Sequence, residues 1–135
     1  MKTVMAAGSF DLIHEGHIYF LNEAKRKGDK LVVVVARDSS ILKFKGKRPK
    51  YNERERLEHV RALSMVDRAV LGKEGNIYDI VLEIKPDIIV MGYDQKPEST
   101  EFVKNELEKR GFKPEVIRVH AYRPELFKSS KLKRE

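Results

Sequence analysis

Cysteine is absent from this chain, and that absence removes disulfides, thiolate nucleophiles and cysteine metal sites together. No apolar run is long enough to span a bilayer, and the first residues lack the apolar stretch of a secretory signal. A cytoplasmic protein with no membrane partner is therefore expected. Internal repeats, low-complexity tracts and linker-like stretches are lacking as well. One domain over residues 1–135 is expected, long enough to bury a core of two or three layers.

Charge is what the chain has in excess. Charged residues make up 36% and the formal net charge is +7, against about 25% charged residues in ordinary globular chains. A basic surplus points to an anionic partner. The lysines and arginines are spread along the whole chain, so a phosphorylated small molecule fits as well as nucleic acid.

The apolar pattern alternates between two periods. Residues 2–7, KTVMAA, read as a strand that ends in Gly8. A helical pattern follows from about His17 to Lys27, with Ile18, Leu21 and Ala24 in register and Gly28 as a stop. KLVVVVA, residues 30–36, is an unbroken β-branched run of the kind that parallel sheets cover on both faces. The stretch 37–52 reads as a basic loop with a helical turn at its start, and Asn52 caps a helix over about 53–63. A strand at 68–72, a helix at 77–84, a strand at 87–92, a helix at 99–111 and a strand at 115–119 follow, with a polar basic tail at 120–135. Strands and helices in alternation predict an α/β fold: a single Rossmann-like three-layer domain with a mostly parallel five-stranded sheet. In such sheets ligands sit beyond the carboxyl ends of the strands, at the switch in strand order. That rule singles out residues 8–17, 37–49, 92–96 and 120–130.

The first of these segments is GSFDLIHEGH, residues 8–17. Gly8 allows a sharp turn off the strand, and Gly16 allows close approach of backbone to a ligand. His17 falls near the start of a helix, whose N–H groups and dipole favour an anion. Two imidazoles, His14 and His17, can donate there to phosphate oxygens, best when protonated or when charge builds on a leaving group. A zinc site needs a third ligand, and the spacing is not H-E-x-x-H. On spacing alone, a phosphate cradle and an ordinary capped helix start both remain open.

The stretch resembles the signature G-[TS]-F-D-x-x-H-x-G-H of the cytidylyltransferase-like nucleotidyltransferases, with Phe10 and Asp11 also at the family spacing. The resemblance implies that His14 and His17 bind nucleotide phosphates and stabilise charge on the α-phosphate as pyrophosphate leaves. It extends along nearly the whole chain. LKFKGKRP resembles the loop whose lysine contacts the phosphates, which implies Lys45 as a catalytic residue, or Lys43 beside it on the acceptor side. ERERLEHVRALSMVD resembles the helix whose arginine faces the acceptor's phosphate, which implies Arg56. DIIVMGYDQ resembles the segment bordering the base, which implies Asp94. FKSSKLK resembles the segment that receives distal phosphates, which implies Ser129 and Ser130. Ser9, Phe10, Glu15 and Gly16 join the nucleotide side. Mg²⁺ or another divalent cation is implied at the triphosphate, held by phosphate and water. Asp11 is left between orienting a histidine or the metal shell and forming a plain turn.

Within the family, the exit of the second strand, the fourth-strand segment and the tail VIRVHAYRPELFKSSKLK look most like the archaeal-type FAD synthase branch. That branch implies ATP and FMN as substrates, Tyr122 at the nucleotide and a homodimer. Lys128 and the lack of cysteine depart from the branch's tail. Phe44, Tyr51, Tyr93 and Tyr122 are candidate walls for a flat acceptor ring. The other readings are a cytidylyltransferase acting on glycerol 3-phosphate and a non-catalytic nucleotide- or RNA-binding module. A nucleic-acid partner is not expected, because the few aromatics fall mostly within the apolar pattern.

Overall fold

Five short strands meet in one sheet in the computed structural model, which describes residues 1–73, 77–91 and 100–119. The order along the chain is β1 (Thr3–Gly8), α1 (Glu15–Lys25), β2 (Lys30–Val35), α2 (Asp38–Lys45), α3 (Glu53–Arg61), β3 (Arg68–Leu71), α4 (Ile77–Ile84), β4 (Ile88–Met91), α5 (Thr100–Glu108) and β5 (Glu115–Arg118). The spatial order is β3-β2-β1-β4-β5, and every pairing is parallel. Gly8 stands opposite Val35 and Ala6 opposite Val90.

The β-branched run of β2 explains the layering. Alternate side chains of a strand point to opposite faces. Leu31, Val33 and Val35 pack on one face with Val4 and Ala6 of β1, under Leu21 and Ala24 of α1 and Leu57 and Val60 of α3. Val34 and Met5 pack on the other, under Ile80 and Val81 of α4 and Leu107 of α5. Two helical layers around a parallel sheet make the Rossmann-like α/β architecture expected from the sequence.

Two boundaries differ. The first helix starts at Glu15 instead of about His17, because His14 itself serves as the N-cap. The expected basic loop holds a helix of eight residues, α2, and not a single turn. Its N-cap, Arg37, supplies no side-chain cap. Glu53 of α3 does so from a distance, with its Oε1 accepting the Asp38 N–H at 2.8 Å. The helix, which buries Ile41, is thus held from outside. Gly46, at φ 75°, ends it in the left-handed conformation that glycine adopts without strain. Asn52 caps α3 as expected, its side chain accepting from the Glu55 N–H at 2.8 Å.

Strand order runs outward from β1 to β2 and β3, then returns to the far side of β1 for β4. The switch point lies between β1 and β4. The histidine segment leaves the sheet there, from the carboxyl end of β1.

Candidate active site

His14 and His17 meet over the first turn of α1, with ring centroids 4.1 Å apart. Each ring is fixed by the backbone beside it. His14 Nδ1 accepts the Gly16 N–H at 3.0 Å, and His17 Nδ1 accepts the His14 N–H at 3.1 Å. A nitrogen that accepts an amide hydrogen carries no proton of its own. With Nδ1 used as an acceptor, Nε2 is the ring nitrogen left to donate.

Gly16 has a different use from the one expected. A Cβ there would stand 2.9 Å from His14 Cε1, so the space is filled by the imidazole and not by a ligand. The Phe10 side chain also lies elsewhere than expected: it is 2% exposed, within the core. Its ring lies 5.4 Å from that of His17 and over Gly8, where a Cβ would come within 3.0 Å of Phe10 Cε2. Phe10 has φ 53°, a left-handed conformation that costs a bulky residue about 1–3 kcal/mol. The turn spends that strain to bring a core ring up beneath the imidazole.

Asp11 reaches forward along the chain. Its Oδ2 accepts the Lys50 N–H at 2.8 Å and its Oδ1 the Tyr51 N–H at 2.9 Å, so both oxygens are committed to the loop ahead of α3. Partial burial would raise its pKa. The Tyr51 and Lys50 N–H groups, with the charges of Arg56 and Lys45, outweigh that and hold the carboxyl below its usual range. No group of three or more His, Asp or Glu side chains suited to a metal occurs among the described residues.

Arg56 does not face an acceptor. It is 0% exposed. Its Nε donates to Tyr51 O at 2.9 Å, Nη1 to Ser9 O at 2.8 Å and Ala36 O at 2.7 Å, and Nη2 to Asp38 Oδ1 at 2.7 Å. Sequence reasoning missed Asp38, the ion-pair partner of Arg56; the nearer acids Glu53 and Glu55 are engaged with Arg37 and with the Asn52 cap. The acidic residue just after β2 was the available signal. Ser9 enters through its carbonyl.

Glu15 lies exposed in the first turn of α1, and Lys43 and Lys45 are exposed along α2. Lys45 is near enough to Asp11 for its charge to act there. Tyr51 is half-buried, its ring edge-on to His59 at 5.0 Å. Asp94, Tyr93, Tyr122, Ser129, Ser130 and the ring of Phe44 lie outside the described residues.

An imidazole pair with both Nδ1 atoms held by the main chain, at the switch point, suits a site that donates to a polyanion. The sequence profile of the cytidylyltransferase-like family matches residues 5–135. The chain belongs to that family. Among curated relatives, the protein named FAD synthase of Thermoplasma volcanium is 44% identical over 135 residues, covering 100% of this chain and 94% of the relative. The FAD synthase of Aciduliprofundum boonei is 50% identical over 122 residues, covering 90% and 80%. A crystal structure from Thermoplasma volcanium, described as a lipopolysaccharide core biosynthesis protein, superposes with a TM-score of 0.86 at 46% identity. It covers 91% of this chain and 99% of its own. No helix among the described residues of this family member is long and apolar enough to cross a membrane.

Proposed function

We propose that the protein transfers AMP from ATP to FMN, giving FAD and pyrophosphate. The similarity to relatives named FAD synthase supports the choice of substrates. The observation that carries the chemistry is the His14–His17 pair, fixed as two Nε2–H donors at the switch point.

A phosphate oxygen of FMN attacks the α-phosphorus in line, the new P–O bond forms and the bond to the β-phosphate breaks. The attacking phosphate is already an anion, so no general base and no covalent enzyme intermediate is needed. What the reaction demands is alignment and neutralisation of charge, which are the contributions a preorganised site makes. His14 and His17 donate to oxygens of the α-phosphate, where charge grows as pyrophosphate leaves. Lys45 offsets charge on the departing phosphates from the end of α2. Positioned imidazole donors suit this role, because their hydrogen bonds strengthen as charge develops on the oxygens. A divalent cation such as Mg²⁺, held by phosphate and water, would supply further neutralisation of the triphosphate. Asp94, Tyr122, Ser129 and Ser130 complete the nucleotide side in this reading, and the protein acts as a cytoplasmic homodimer.

The test offers the protein, with Mg²⁺, ATP or CTP and either FMN or glycerol 3-phosphate, and measures pyrophosphate. Release with ATP and FMN, accompanied by FAD, is expected. CDP-glycerol from CTP would replace the proposal with a cytidylyltransferase, and silence from every pair would leave a binding module.

A further inference from the structure

We propose that Arg56 and Asp11 are a coupled pair of positioning residues: acting through the Tyr51 main chain, they lock the histidine turn, the start of α2 and the loop after it into one unit, and neither touches substrate. The inference rests on the reading that ATP binds at this turn.

Tyr51 is gripped from both sides. Its N–H donates to Asp11 Oδ1 at 2.9 Å, and its carbonyl accepts from Arg56 Nε at 2.9 Å. Asp11 also holds the neighbouring Lys50 N–H at 2.8 Å. Asp11 belongs to the turn that carries His14 and His17, so the loop between α2 and α3 is tied directly to the catalytic segment. Arg56 completes the tie from below. One Nη1 joins Ser9 O and Ala36 O, the exits of adjacent strands β1 and β2, while Nη2 holds Asp38, the first residue of α2. Both ends of α2 are thereby fixed, its start through Asp38 and its end through the loop that Asp11 grips. Lys45 is the last residue of that helix.

The chemistry of the guanidinium fits the task. Its planar fork of five donors reaches acceptors in several directions at once, which an ammonium on a flexible stem cannot reproduce. A fully buried charge is tolerated only where paired and hydrogen-bonded, and Arg56 meets both conditions. To reach a substrate phosphate it would have to abandon four bonds.

The experiment uses Arg56→Lys, which keeps the charge and loses the fork, and Asp11→Asn, which keeps one acceptor. Asp11 is only partly buried, so its variant serves even where Arg56→Lys fails to fold. In each, kcat falls on the order of a hundredfold, the loss that a displacement of about 1 Å imposes on a reacting group. ATP binding measured with no acceptor present weakens as well. The double variant is no worse than the poorer single one, because both act through one link. A defect confined to the KM for FMN, with kcat and acceptor-free ATP binding as in the wild type, would overturn the proposal and make Arg56 an acceptor contact. A wild-type protein that does not bind ATP removes the functional reading instead. The link is then judged on hydrogen exchange at the Lys50 and Tyr51 amides: Arg56→Lys speeds it if the pair is coupled, and unchanged exchange refutes the coupling.

Discussion

At the amino ends of the strands, aspartates close the sheet. Asp29, just before β2, accepts from Lys2 N at 2.7 Å, Asp67, just before β3, from Leu31 N at 2.7 Å, and Asp87, just before β4, from Thr3 N at 2.8 Å. At the carboxyl ends the polarity is reversed and donors are needed. There Arg56 collects Ser9 O and Ala36 O, and Arg37 donates from Nε to Gly72 O at 2.5 Å. The aspartates are short side chains serving the strand alongside. The arginines are long, come from other elements, and join strand exits to the segments that carry chemistry. One end of the sheet is closed for stability by independent contacts. The other is closed by a shared network that ties strand exits to α2 and α3.

Changes at the histidines have the largest effect and mark the functional end most sharply. His14→Ala and His17→Ala lower turnover on the order of a hundredfold or more, as loss of one preorganised donor does. His14→Ala also costs about 1 kcal/mol of stability through the lost cap. His14→Asn restores the cap and not the turnover, and pyrophosphate release beside thermal melting separates the two.

The same substitution at the two ends of α1 tests the comparison next. At Gly28 a Cβ would stand 2.7 Å from Val4 Cγ2 and 2.9 Å from Lys2 O, a main-chain atom that cannot swing aside. Gly28→Ala therefore destabilises by about 1–3 kcal/mol, with kcat of the folded protein unchanged. At Gly16 the obstacle is the His14 ring. Gly16→Ala displaces that ring and lowers kcat by about tenfold or more for only a small change in melting temperature. Equal effects of the two variants on kcat would dissolve the distinction.

Smaller again is Asp87→Ala, which frees the Thr3 N–H and costs about 1 kcal/mol in denaturant titrations, leaving kcat/KM intact. The smallest effect is a pH dependence. The hydrogen bond from Lys25, with the Leu31 N–H, holds the Asp67 carboxyl below its usual range, and Asp11 is also held low. A carboxyl with a lowered folded-state pKa adds stability above its unfolded value and loses it as pH falls through the folded one. Melting temperature should therefore decline below about pH 4, and Asp67→Asn should flatten the decline.

Much of this was legible in the residues. The unbroken run in β2 announced a strand buried on two faces, and Asn52 announced the start of α3. The histidine turn declared its place by following the first strand. Less legible was α2, because DSSILKFK has little apolar periodicity and takes its cap from Glu53, fifteen residues ahead of Asp38. The start of α1 was misjudged because an imidazole stands where Ser, Thr, Asp or Asn is usual. Phe10 was assigned to the nucleotide, although its positive φ turns the ring into the core.

By itself the sequence determined the α/β alternation, the family and the segment that carries the histidines, since periodicity, turn residues and motifs are local properties of the chain. Only the tertiary structure decided that main-chain N–H groups hold each imidazole at Nδ1, and that Arg56 is buried among main-chain carbonyls and Asp38. The physical reason is distance along the chain. The groups that desolvate and bind the guanidinium come from residues 5 to 47 positions away, and only folding brings them to one point.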